Sequence, residues 1–201
     1  MNKKEIRKIT YKTFAKLFYY PDKELVQLLY NGVVTDFFSD IYKDAEKFEK
    51  FKSWLNLFEN KEHLLESLQI EYTSLFINNF PSLPAPPYKS FYFDKELFGP
   101  SAENVAEIYN HYNFEISKDI YELPDHIAIE LEFISRIIEM DIPEDEINKF
   151  LKEQILSWSR YLEKEIIDNA SIPFYSFIIK EINIFITNDI NNEIELAGDK
   201  I

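Results

Sequence analysis

PDHIAIELEFISRIIEM, residues 124–140, is the stretch on which the fold turns. At about 100° per residue, Ile127, Leu131, Ile134 and Ile138 line one stripe of a helix. Ile129, Phe133, Ile137 and Met140 line a second. The polar arc left over is narrow: Ala128, Glu132, Ser135, Arg136 and Glu139. A helix apolar round most of its circumference is a central one, touched by several neighbours. Pro124 suits a first helical turn, so the helix is predicted from there, with Asp125 and His126 in that turn.

Apolar residues recur at helical spacing on both sides. Downstream, Pro143 resets the chain. Ile147, Phe150, Leu151, Trp158, Tyr161 and Leu162 then mark a long helix. Pro173 opens the last one, with Phe174, Phe177, Ile178, Ile182, Phe185 and Ile186 mostly inward. Upstream, Ile6, Ile9, Phe14, Leu17 and Phe18 predict a first helix stopped by Pro21. Leu25, Leu28 and Leu29 predict a short second one ended by Gly32. Phe48, Phe51, Leu55 and Phe58 mark a further helix, and Leu64 to Phe76 a longer one. Ser101 reads as an N-cap for a helix over 102–112.

Prolines 81, 84, 86, 87 and 100 break this pattern, because proline lacks an amide donor and restricts the residue before it. The same segment carries Tyr88, Phe91, Tyr92, Phe93 and Phe98, too many aromatics for a solvated linker. It reads as an ordered loop packed on the helical body. The expected architecture is all-α: one helical bundle over 1–188, a proline loop and candidate hinge at 78–101, and an acidic tail at 189–201. Only 3 glycines in 201 residues agree with helices.

The net charge of −14 repels nucleic acid and anionic lipid and attracts a basic partner. The plain alternative is a device for solubility. With no cysteine, disulfides and thiolate metal sites are excluded. Residues 1–10 do not read as a signal peptide, and no apolar run reaches the ~20 residues that span a bilayer, so a cytoplasmic protein is expected.

Three segments carry information on function. They are Glu71-Tyr72-Thr73-Ser74-Leu75-Phe76, the run from Leu83 through Pro87 and Tyr88 to Tyr92, and Glu122-Leu123-Pro124-Asp125-His126-Ile127. Asp125 at a helix start is either an ordinary helix-dipole acid or a binding carboxylate. His126 precedes Glu130 by one turn and is either a satisfied structural histidine or half of a partly desolvated pair at a pocket mouth.

In this order and spacing the three segments resemble the TorD/DmsD family of redox-enzyme maturation chaperones, relatives of NarJ. The resemblance covers roughly residues 64–162. It implies an all-helical chaperone that binds the twin-arginine signal peptide and apo catalytic subunit of a molybdenum-cofactor oxidoreductase. The client is held from export until cofactor is inserted. It also implies peptide-binding roles for Tyr72, Leu75, Phe76, Pro87, Tyr88, Asp125 and His126, supported by Glu122, Pro124 and Glu130. These are expected to form an apolar slot open at the surface, with Asp125 facing an arginine. Family members can exchange helices between chains, so a homodimer is a further expectation.

No resident cofactor or metal is expected. His126 and Glu130 are too few ligands for a tight site, and no Glu-x-x-His pair, Gly-rich phosphate loop or Gly-x-Ser-x-Gly is present. Catalysis is therefore not expected. The rival to a chaperone is a non-catalytic scaffold or assembly subunit of a redox complex.

Overall fold

Short polar side chains start the first helices. Asn2 opens α1 (Lys3–Phe18), accepting the Glu5 amide at 2.8 Å. Asp22 accepts the Leu25 amide at 2.7 Å to open α2 (Lys23–Tyr30). Asn60 accepts the His63 amide at 2.9 Å to open α5 (Lys61–Tyr72). Each side chain accepts from an amide that has no carbonyl partner within its helix. Pro100 and Pro173 begin α7 (Pro100–His111) and α11 (Pro173–Ile190), where a missing N–H costs nothing. The remaining helices are α3 (Val33–Ile41), α4 (Ala45–Leu55), α6 (Lys89–Phe93), α8 (Ile127–Glu139), α9 (Glu144–Phe150) and α10 (Ser157–Asn169). Wider π turns at Thr73–Ile77 and Leu151–Leu156 extend α5 and join α9 to α10. The structure is a computed structural model that describes residues 2–41, 45–79 and 82–194.

The all-α expectation holds. Among the described residues there is no strand, and β pairing amounts to an isolated antiparallel bridge between Tyr88 and His126. α8 is the central helix: Ile127, Ile129, Leu131, Phe133 and Ile134 are fully buried. Its longest contact runs along α1, which brings Tyr11, Phe14, Leu17 and Phe18 into the core. Phe133 meets the rings of Tyr109, Phe150 and Phe114 at 4.7, 4.8 and 5.4 Å. Burying one such ring stabilises the fold by roughly 1.5–3 kcal/mol relative to leaving it exposed. The polar arc is narrower still than expected, since Ala128 and Ser135 are also buried. Met140, placed on an apolar stripe, is 41% exposed at the helix end.

Several boundaries differ from expectation. α8 begins at Ile127 and not at Pro124. The backbone of Asp125 and Ile127 pairs instead with the proline loop, which holds His126 extended at φ −69°, ψ 134°. Ser101 is not the cap of α7; Gly99 is. The Asp94 carboxylate instead accepts the Ser101 amide at 2.8 Å and its hydroxyl at 3.0 Å. A Cβ on Gly99 would lie 2.6 Å from that carboxylate, so only glycine fits. The proline loop contains the short α6, and α3 is an additional helix.

The expected tail also starts too early. Asp189 and Ile190 belong to α11, and Asp189 is buried. Its carboxylate accepts from the Tyr11 hydroxyl at 2.7 Å and pairs with Arg7 Nε at 2.7 Å. Arg7 also forks onto Glu144 at 2.6 and 2.9 Å, tying α1, α9 and α11 together. The part of that tail at 195–201 lies outside the described residues.

Candidate functional site: the junction of the proline loop and the central helix

The three informative segments meet. The π turn after α5 offers the Leu75 carbonyl to the Ala85 amide at 3.1 Å, which pins the proline loop at its entry. Pro87 then accepts from the Ile127 amide at 3.0 Å, and the Lys89 amide donates to the Asp125 carbonyl at 3.2 Å. The Asp125 carboxylate receives the Ser90 amide at 2.7 Å, which fixes the first turn of α6. His126 caps α8, its Nδ1 accepting the Ala128 amide at 3.1 Å. That bond assigns the proton of the neutral ring to Nε2. The imidazole lies parallel to the Tyr19 ring at 6.2 Å and edge-on to Tyr88 at 5.1 Å.

One turn on, Glu130 is fully buried and takes the Trp158 indole N–H at 3.2 Å. Lys89 reaches under α6 to Gln154 Oε1 at 2.5 Å and the Glu153 carbonyl at 3.0 Å. Pro124 offers its carbonyl to the Tyr109 hydroxyl at 2.9 Å. Four polar atoms here have no protein hydrogen-bond partner: Ser90 Oγ, Asp125 Oδ1, His126 Nε2 and Glu130 Oε1.

Burial sets the charge states. It pushes the His126 imidazole down to about 3, so the ring is neutral at pH 7. It pushes the Glu130 carboxyl well up and the Lys89 ammonium down, the mutual attraction of the two only partly offsetting the cost of lost water. At the edge, Tyr88 donates a short hydrogen bond to Glu122, and burial raises the phenol further from ionisation.

The exposure expected of these residues is not what the structure has. Tyr72, Leu75 and Phe76 are at most 4% exposed, and Asp125 and His126 are fully enclosed. Tyr72 and Phe76 lie edge-on to each other at 4.9 Å and both meet the ring of Tyr175, at 5.9 and 4.9 Å. Pro87 and Glu130 are buried too, and only Tyr88, Glu122 and Pro124 keep partial access to solvent. The open slot rimmed by Asp125 and His126 is therefore corrected to a closed junction. The physical reason is pairing: the Asp125 carboxylate is engaged by an amide 35 residues upstream. Lys89, Ser90, Tyr109, Gln154 and Trp158 are partners the sequence reading did not assign. Lys89 and Ser90 adjoin the quoted Pro87-Tyr88, but nothing local signals where their donors go.

Among the described residues no group of three or more His, Asp or Glu is placed to hold a metal, and no helix is long and apolar enough to cross a membrane.

Residues 41–163 match the nitrate reductase delta subunit family, and the chain belongs to that family. It is similar to the TorD chaperone of Aliivibrio fischeri, 29% identical over 157 residues that cover 72% of this chain and 71% of that protein. The TorD chaperone of Aliivibrio salmonicida is 27% identical over the same share of each. Among solved structures, a proposed redox enzyme maturation protein from Archaeoglobus fulgidus superposes with a TM-score of 0.59 at 26% identity. That likeness covers 90% of this chain and 93% of the other.

Proposed function

We propose that the protein is a cytoplasmic, non-catalytic chaperone for the catalytic subunit of a molybdenum-cofactor oxidoreductase. It binds that subunit's twin-arginine signal peptide and apo form, and holds them from export until cofactor is inserted. The observation that carries the reading is likeness over nine-tenths of the chain to a proposed redox enzyme maturation protein, on a chain of net charge −14. An arginine-rich segment is the natural counter-ion of such a surface, and the attraction speeds encounter. The buried junction supports a passive role: a neutral histidine that caps a helix, and a carboxyl held by an indole, act as framework groups.

A second reading, a scaffold that stays with its complex, is favoured by the match to a family described as a delta subunit. Co-purification separates the two. A chaperone associates with the apo catalytic subunit whose signal peptide is intact and is absent from the mature, cofactor-loaded enzyme. Persistence in the mature enzyme would establish the scaffold. Helix exchange between two copies about the 78–101 loop belongs to the same reading, and sedimentation of the purified protein tests it.

A further inference from the structure

Exposed apolar side chains cluster in residues 91–98 and on the helix packed against them. Phe91, Phe93, Leu97 and Phe98 are 36, 45, 52 and 58% exposed, and Tyr161 on α10 is 56% exposed. Between α6 and α10 lies an open cleft of about 540 Å³, walled by Phe91, Tyr92, Phe93 and Tyr161. The Tyr161 ring stands 6.4 Å from those of Tyr92 and Phe93. The turn after α6 is fixed at both ends. Asp94 holds the amide and hydroxyl of Ser101, and Lys95 Nζ donates to the Tyr92 carbonyl at 2.8 Å. Among the described residues, five other than glycine have a positive φ. Lys95, Asn113, Asp141 and Asn192 each follow a helix end, where the left-handed conformation closes the last turn. Phe98, at φ 61°, closes no helix. Glycine suits such a position, and a phenylalanine there strains the backbone while its ring stays largely in water. Strain of this kind is kept where a surface is presented to a partner.

Charge selects the occupant. The cleft carries one cation, Lys95, and one anion, Glu165, so it has no net charge on a chain of −14. It favours neither a basic nor an acidic segment. A second copy would bring its own charge of −14 against the surrounding surface and be repelled. What matches exposed rings without net charge is an uncharged apolar segment. Folded proteins bury most such segments, whereas a chain that has yet to complete its fold exposes them.

We propose that the aromatic cleft and the turn 94–99 form a docking face for an uncharged apolar segment of an incompletely folded client chain. The inference rests on the chaperone reading and adds to it the surface that meets the apo form. The probe is labelled α-lactalbumin, reduced and carboxymethylated, an unfolded acidic chain, followed by fluorescence anisotropy. Two acidic chains repel, so binding that strengthens with salt isolates the apolar contact. Tyr161→Ser weakens binding by about five-fold or more. Phe98→Gly weakens it by about three-fold and raises the thermal midpoint by about 2–4 °C, because glycine takes this φ without strain. Weaker binding by a more stable protein cannot come from misfolding. Leu57→Ser, at a side chain 76% exposed and outside the cleft, binds as the wild type does. No binding by the wild type, or wild-type affinity in both Tyr161→Ser and Phe98→Gly, overturns the docking face. Neither result touches the chaperone reading, which co-purification decides separately. A loss in Leu57→Ser as large as in Tyr161→Ser means indiscriminate apolar adhesion and also overturns it. If Tyr161→Ser dissociates a dimer in sedimentation while probe affinity stays constant, the face joins two copies and the proposal is again overturned.

Discussion

The junction and a surface slot lined by Glu107, Ile108, Phe133, Phe150 and Glu153 share α8, yet they are opposites. The junction collects the residues that stand out in sequence: Tyr72, Phe76, Pro87, Asp125 and His126. All of them are buried. The slot collects residues that form no motif, and its rim is exposed. A recognisable motif thus marks where the chain must hold itself together as readily as where it meets a partner. Here the conspicuous residues set the path of the proline loop, and that path places α6, α7 and the approach to α8.

The comparison breaks first, and by the largest amount, at Phe76. Its ring packs on Phe18, Tyr72 and Tyr175. Phe76→Ala is expected to lower unfolding stability by about 3–5 kcal/mol, measured by denaturant titration. A loss below about 1 kcal/mol would mean that the ring is a surface group, as the open-slot expectation had it.

Acid provides the second test. His126 sits at about 3 in the fold, below the ordinary histidine value of 6.5. The unfolded chain therefore takes up a proton first as pH falls from about 6.5, and stability is lost towards pH 3. The cost at pH 5 is roughly 2 kcal/mol relative to pH 8, one pKa unit being about 1.36 kcal/mol. His126→Asn keeps a capping acceptor but cannot titrate, so its stability should fall less steeply over this window. Parallel wild-type and variant curves would place His126 in water. Glu130, raised by burial, acts with the opposite sign. Its contribution is complete below the ordinary carboxyl value and is lost as pH rises through its folded value.

A smaller effect sharpens the boundary between the two regions. Tyr88→Phe deletes the hydrogen bond to Glu122 at the junction's partly open edge. A loss of about 1 kcal/mol in stability is expected, read as a shift in the midpoint of chemical unfolding. No change would mean that water replaces Glu122 as the partner without cost.

Much of the fold could be read locally. The two apolar stripes of α8, the proline at the start of α11 and the glycine stop after α2 are short-range signals, and each leads to the right element. The helix over Val33–Ile41 carries such a signal too, Val34, Phe38 and Ile41 at helical spacing. The start of α8 was out of reach. It is set by the bridge from Tyr88 to His126, a pairing 38 residues apart that no periodicity reports. Burial of Asp125 was illegible for the same reason, because its partner amide belongs to Ser90. Asp189, at the start of the expected acidic tail, is held by Arg7 and Tyr11 from the other end of the chain. The slot needs three helices placed in space before it exists.

The central claim is that Asp125 and His126, at the start of α8, are buried framework groups. Calorimetric titration of Asp125→Asn with the twin-arginine peptide tests this most directly. The substitution keeps an oxygen for the Ser90 amide and removes the charge, so wild-type affinity is predicted. A clear loss of affinity in a variant of unchanged thermal stability would contradict it, because the carboxylate would then have to reach the peptide through an opened junction.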